Sequence, residues 1–165
     1  MKNPASWAGV LVVVVYAVLA MSFAQADEFM DAVDLFKGSK QSAAYFDDCY
    51  GYAVFPTIGK AGFGVGGAYG KGRVYEQRAY VGDTSMTQLS VGFQAGGQAY
   101  SQIVFFQDSR ALGEFTSGSY EFGADIGEGR YHKGLAVFTI AKGGAMYAAS
   151  VAGQKFSFKP VENKK

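Results

Sequence analysis

Cysteine is almost absent: of 165 residues only Cys49 carries a thiol. A lone cysteine forms no internal disulfide, so the core must hold without covalent staples. Cys49 itself reads either as a small buried apolar residue or as a thiol that pairs between chains, and no histidine or second cysteine lies near it in sequence to activate it. Histidine is equally scarce. With His132 as the sole imidazole, between Tyr131 and Lys133, multi-histidine metal sites are excluded and a Ser-His-Asp triad has little support; a surface or turn position fits it better. Net charge is small too, 15 Lys and Arg against 14 Asp and Glu, and nothing in that balance draws a nucleic acid. The neighbours Asp47 and Asp48 are solvated helix-end charges, since paired-carboxylate catalysis needs side chains that face each other across a cleft. No nucleophile, base and orienter can be assembled, so the chain reads as non-enzymatic, with no cofactor.

What is present begins with an export signal. Lys2 gives a positive start, residues 7–20 carry no charge, and Ala24-Gln25-Ala26 is a small-x-small site before Asp27. The uninterrupted apolar run is shorter than the ~20 residues of a spanning helix. The expectation is a cleaved signal peptide over 1–26 and one domain over 27–165, exported to the periplasm or secreted. No cysteine follows the apolar run, so a lipoprotein anchor is not expected. Loss of Lys2 leaves 14 bases against 14 acids, a neutral mature chain.

Phe29, Val33 and Phe36 recur at helical spacing, and Ala43, Ala44 and Phe46 continue the face after Gly38. This predicts two helices between 28 and 48, with a restart at Ser39 and a second body over 41–47. A third, short helix is expected after Asp108 as N-cap, through Ala111, Leu112 and Phe115. From Tyr50 onward glycine recurs among Val, Phe and Tyr, a composition of strands with bulges and tight turns. Strands are expected at 52–55, stopped by Pro56, then at 63–69, 72–80, 88–102, 103–106 and 120–126; the alternation of Leu89, Val91, Phe93 and Ala95 is the clearest.

The chain also echoes itself. Gly51-Tyr-Ala-Val-Phe55 with Ile58, Lys60 and Gly62 matches Gly134-Leu-Ala-Val-Phe138 with Ile140, Lys142 and Gly144, once one residue near Pro56 is skipped. Two copies are too few for a solenoid, so pseudo-repeated halves of one sheet or barrel are expected.

Gly62, Gly64 and Gly67 satisfy G-x-G-x-x-G, but the residues that follow read as turn and strand where a dinucleotide fingerprint opens a helix. Gly70-Lys71-Gly72 is no phosphate loop either, because Val65 stands where its first glycine belongs and no Ser or Thr follows the lysine. These glycines are expected to permit close backbone approach or positive φ. Tyr45, Tyr50, Tyr52, Tyr69, Tyr75, Tyr80 and Tyr100 fall at strand ends and edges; they suit a wet-rimmed β core, a membrane interface or a ligand groove.

Residues 51–75, GYAVFPTIGKAGFGVGGAYGKGRVY, resemble the signature of the SYLF domain, with Gly62, Gly64, Gly66, Gly67, Gly70 and Gly72 as its glycines. TQLSVGFQAGGQAY over 87–100, FTSGSYEFGA over 115–124, AVFTIAKGG over 136–144 and GQKF over 153–156 extend the resemblance across nearly all of 27–165, closest to the exported bacterial branch. The resemblance implies a non-enzymatic module that binds membrane lipid, phosphoinositides above all, through a basic N-terminal segment, and actin in fungal members. An exported bacterial protein does not meet actin. Two departures stand out. The N-terminal helical region is acidic, with Asp27, Glu28, Asp31, Asp34, Asp47 and Asp48 against Lys37 and Lys40, and the stretch 123–129 is shorter than in bacterial relatives.

Positive charge gathers instead at Lys60, Lys71, Arg73 and Arg78, and at Lys142, Lys155, Lys159, Lys164 and Lys165. Of these, Lys60, Lys71, Arg73, Lys142 and Lys155 are the candidate contacts to anionic lipid; scattered solvating charges are the competing account. The expected fold is α+β, N-terminal helices on a curved, mainly antiparallel sheet or partly closed barrel. The expected function is a lipid-binding or envelope-associated module. The alternative is a structural or adhesive envelope β protein, including a small outer-membrane barrel.

Overall fold

The computed structural model describes residues 5–60, 67–89, 99–126, 129–145 and 150–162. A long helix, α1 (Ala5–Gly38), passes through turns into the single-turn helix α2 (Tyr45–Asp48) and then into strands β1 (Gly51–Lys60), β2 (Gly67–Glu76), β3 (Ala79–Leu89) and β4 (Tyr100–Phe106). Helix α3 (Ser109–Phe115), the two-residue strand β5 (Tyr120–Glu121), β6 (Leu135–Ala141) and β7 (Lys155–Pro160) follow. The strands form one antiparallel sheet in the order β5-β7-β3-β2-β1-β4-β6. The α+β class expected from the sequence is the one adopted.

Both faces of the sheet's β1-β4-β6 end are covered, which is why these strands read as nearly continuous apolar runs. Alternate residues divide between two clusters. On the inner side Phe55, Val104, Phe106, Leu135 and Val137 meet Leu112 and Phe115 of α3. On the outer side Val54, Ile103, Phe105, Ala136 and Phe138 meet α1. The sheet curls around the inner cluster: the rings of Phe55 on β1 and Phe156 on β7 lie 5.7 Å apart although β2 and β3 separate their strands.

Helix α1 has two parts. Phe29, Ala32, Val33 and Phe36 are buried at the spacing of one helical face, each fully buried Phe or Val contributing roughly 1.5–3 kcal/mol. Upstream, the large apolar side chains from Val10 to Phe23 are exposed; Tyr16 is 72% exposed and Phe23 70%. The helix segment Gly9–Gly38, of mean hydropathy 2.2 over its most apolar window, is long and apolar enough to cross a membrane, a property that signal sequences share. The boundary between the two parts falls at Ala24-Gln25-Ala26.

Four local expectations need correction. Pro56 does not stop its strand: β1 runs through it as a β-bulge, with the register to both neighbours shifting before Ile58. The missing proline N–H costs nothing at a bulge, and the Pro56 carbonyl is satisfied by the Ser101 hydroxyl at 2.7 Å and the Lys142 ammonium at 2.8 Å. This extra residue is the one skipped in the internal echo. The expected strand over 72–80 is a hairpin turned at Gln77 (φ 46°) and Arg78 (φ 70°), a two-residue loop with both residues in the left-handed region and neither of them glycine or asparagine. The second helix shrinks to Tyr45–Asp48, because residues 39–44 form successive turns in which both Ser42 and Ala43 donate to the Ser39 carbonyl. The expected strand 120–126 is a strand only at Tyr120–Glu121, with Phe122 bonded through its backbone to Gly153 and Gln154 beyond it. Asp108 caps α3 as expected, accepting the Ala111 N–H at 2.9 Å. Most of the expected strand 63–69 and residues 90–98 of the alternating segment lie outside the described residues.

The echoed segments become β1 and β6, which flank β4 on its two sides. Ala53 and Val137 both pair with Val104. The copies exchange faces: Phe55 is in the inner cluster and its echo Phe138 in the outer one.

Candidate functional site

The outer face of β2, β3 and β7 extends beyond α1 and carries polar residues in register. One row runs Arg73, Asp83, Lys159; the next runs Lys71, Ser85, Ser157; the third runs Tyr69, Thr87, Lys155. With strands ~4.8 Å apart and same-face residues ~7 Å apart, Arg73, Lys71 and Lys159 stand within reach of one another's long side chains. All three line a groove of about 540 Å³ between this face and α1, which contributes Glu28 and Phe29. The Thr57 hydroxyl donates to the Glu28 carboxylate at 3.1 Å and fixes the helix over the rim.

Arg73 is the most constrained group there. Its guanidinium stands over two rings, 4.3 Å from the Phe29 centroid and 5.2 Å from that of Tyr80. Its Nε is buried and has no hydrogen-bond acceptor among the described residues. The Asp83 carboxylate is 3.9 Å away, an ion pair longer than a hydrogen bond, and accepts the Tyr80 hydroxyl at 2.6 Å instead. Burial, and then that bond, push the Tyr80 phenol up to about 12. The Ser85 and Ser157 hydroxyls sit 2.6 Å apart. No carboxylate among the described residues pairs with Lys71 or Lys159.

Of the candidate lipid contacts, Lys71 and Arg73 meet in this groove. Lys155 is one row away and pairs with Glu121 at 3.9 Å. Lys142 is committed to the Pro56 carbonyl, so its charge serves the bulge. The Lys60 side chain, Gly62, Gly64 and Gly66 lie outside the described residues. Gly67 opens strand β2, where a dinucleotide fingerprint needs a helix. Gly70 and Gly72 provide space on the inner face: a Cβ on Gly70 would stand 2.7 Å from Ile58 Cγ1, and one on Gly72 2.6 Å from the Phe55 ring. Neither has positive φ, so close approach is what they supply.

Sequence reasoning missed Phe29, Tyr80, Ser85 and Ser157 as parts of one place, and left Lys159 among the general bases. The signal that could have found them is the β2-β3 turn, which fixes the register; a turn without glycine hid it. Elsewhere, Tyr45, Tyr52 and Tyr75 pack against the outer cluster, as core-capping tyrosines do. The half-buried Cys49 thiol is raised, chiefly by burial, away from the reactive thiolate. His132 is exposed, and its ring nitrogen lies 3.1 Å from Asp125, which also meets Lys133.

No family model matches the chain. It is similar to the curated Beta cell expansion factor A of Aeromonas veronii, 26% identical over 145 residues, a match covering 75% of this chain and 51% of that protein. The chain therefore spans about half the length of the curated relative it matches.

Proposed function

We propose that this protein is exported, loses residues 1–26, and works in the cell envelope as a non-enzymatic SYLF-type module that binds anionic lipid through the open face of its sheet. The observation that carries this reading is the convergence of Lys71, Arg73 and Lys159 on one groove. Each basic side chain near an anionic surface contributes ~1 kcal/mol, so three together matter where one does not. The helices are poorly suited to such a surface, because Asp27, Glu28, Asp31, Asp34, Asp47 and Asp48 are all exposed. The two-part α1 supports removal of the leader, since among the described residues every buried side chain of the helix follows Asp27.

The alternative, a structural or adhesive envelope protein including a small membrane barrel, is less well supported. Among the described residues the sheet ends at β5 and β6, and α1 and α2 occupy part of the outer face that a membrane barrel gives to lipid. The test is release by osmotic shock followed by flotation with vesicles. The protein should be released, then float with phosphatidylglycerol vesicles and not with phosphatidylcholine. Retention in the outer-membrane fraction, or equal flotation on both lipids, goes against it.

A further inference from the structure

We infer that the groove is a discrete site for a terminal phosphate group, anchored by Arg73; this rests on the lipid reading above and names the headgroup chemistry. A diffuse basic surface needs only exposed, mobile charges. Arg73 differs: its side chain is three-quarters buried, its guanidinium stands over the Phe29 and Tyr80 rings, and its buried Nε has no hydrogen-bond acceptor among the described residues. A buried donor without a partner costs free energy, so an arrangement that keeps one is completed by an acceptor from outside. The planar fork of a guanidinium matches two oxygens of a phosphate.

The neighbours suit the same ligand. Lys71 and Lys159 stand on opposite sides of β3, Lys71 paired with Ser85 and Lys159 with Asp83, and have no carboxylate partner in an ion pair among the described residues. The Ser85 and Ser157 hydroxyls complete the row beside Lys71; 2.6 Å apart, they share one hydrogen bond and leave one O–H free to donate. Asp83 and Glu28 are the opposing charges, and each is already engaged by a hydroxyl, from Tyr80 and Thr57 respectively. A terminal phosphate offers three free oxygens, one pair for Arg73 and one shared by the lysines, whereas a diester offers two. A monoester is therefore the preferred class, whether it is carried on a lipid or free in solution.

The experiment uses the protein as the cell exports it, with three probes: vesicles of phosphatidic acid, vesicles of phosphatidylglycerol at matched surface charge, and inorganic phosphate. Phosphatidic acid should be preferred about tenfold, the worth of one charge-assisted hydrogen bond. Inorganic phosphate should raise the melting temperature and compete for the vesicles. Arg73→Lys should remove the preference while phosphatidylglycerol binding persists, and Asp83→Asn should tighten phosphate. If Arg73→Lys fails to fold, Lys159→Gln on the exposed side of β7 should reduce the preference instead. Equal binding to both lipids with no response to phosphate overturns the site and leaves the lipid reading standing. Arg73-dependent phosphate binding without flotation on any vesicle overturns the lipid reading and keeps the site, with a free phosphate ester as its ligand. Neither binding overturns both.

Discussion

Gln102 on β4 and Gln154, the residue before β7, exchange two amide hydrogen bonds of 2.8 and 3.0 Å inside the curl of the sheet, and both side chains are fully buried. Three strands separate β4 from β7 in the sheet order, so this pair ties the curl across its inside. Gln154 also donates to the Tyr100 hydroxyl at 3.2 Å. Removing one amide orphans the other. Gln154→Met should therefore cost ~1–3 kcal/mol in chemical denaturation, and Gln102→Met added to it should recover part of the loss, because two apolar partners leave no unsatisfied group between them. A double variant that merely sums two large losses contradicts this.

Gly72 lies over the Phe55 ring with no room for a side chain. Gly72→Val should destabilise by ~1–3 kcal/mol, the cost of overpacking a rigid aromatic core. Gly113, in α3, has nothing within 4 Å of a built Cβ, and Gly113→Ala should stabilise by ~0.5–1 kcal/mol. Melting curves of the two variants check the pair; equal shifts would deny that β2 depends on close approach.

Asp125 clasps the loop before β6. The Lys133 ammonium, at 2.5 Å, is the chief cause and His132, at 3.1 Å, the next in holding its carboxyl down at about 2. A depressed acid contributes stability above its unfolded value, near 3.9, that is lost as pH falls through the folded value. Amide exchange at Ile126 and His132 should be steady from pH 7 to 5, once corrected for intrinsic rates, and should accelerate between pH 4 and 2. Asp125→Asn should show the faster exchange at every pH.

The leader is tested by mass. Because Ala24-Gln25-Ala26 divides the unpacked part of α1 from the docked part, the exported protein should begin at Asp27. Exported protein that still carries residues 1–7 contradicts this.

Much of the fold was legible in the sequence. The spacing of Phe29, Val33 and Phe36 gave the docked face of α1, Asp108 marked the start of α3, and the echo picked out the two strands beside β4. The bulge at Pro56 and the Gln77-Arg78 turn were not legible, because a proline usually ends a strand and a left-handed pair usually announces itself with glycine. The site suffered most from the second. Without that turn the residues of β2 and β3 have no register, and Lys71 and Arg73 cannot be set beside Ser85 and Asp83. Charge counting found the bases but could not tell that Lys142 is held by a backbone carbonyl while Lys159 is not.

The proposed function turns on whether the sheet face, and not the helical region, meets anionic lipid. Flotation on phosphatidic acid vesicles separates the two, with the exported parent compared against Lys71→Glu/Lys159→Glu on the sheet and Lys37→Glu/Lys40→Glu around the C-terminal end of α1. The sheet variant should stay at the bottom of the gradient while the helix variant floats like the parent, and the parent's binding should weaken as salt shortens the screening length below about 10 Å. A sheet variant that floats as well as the parent, with binding lost in the helix variant, would contradict the proposal.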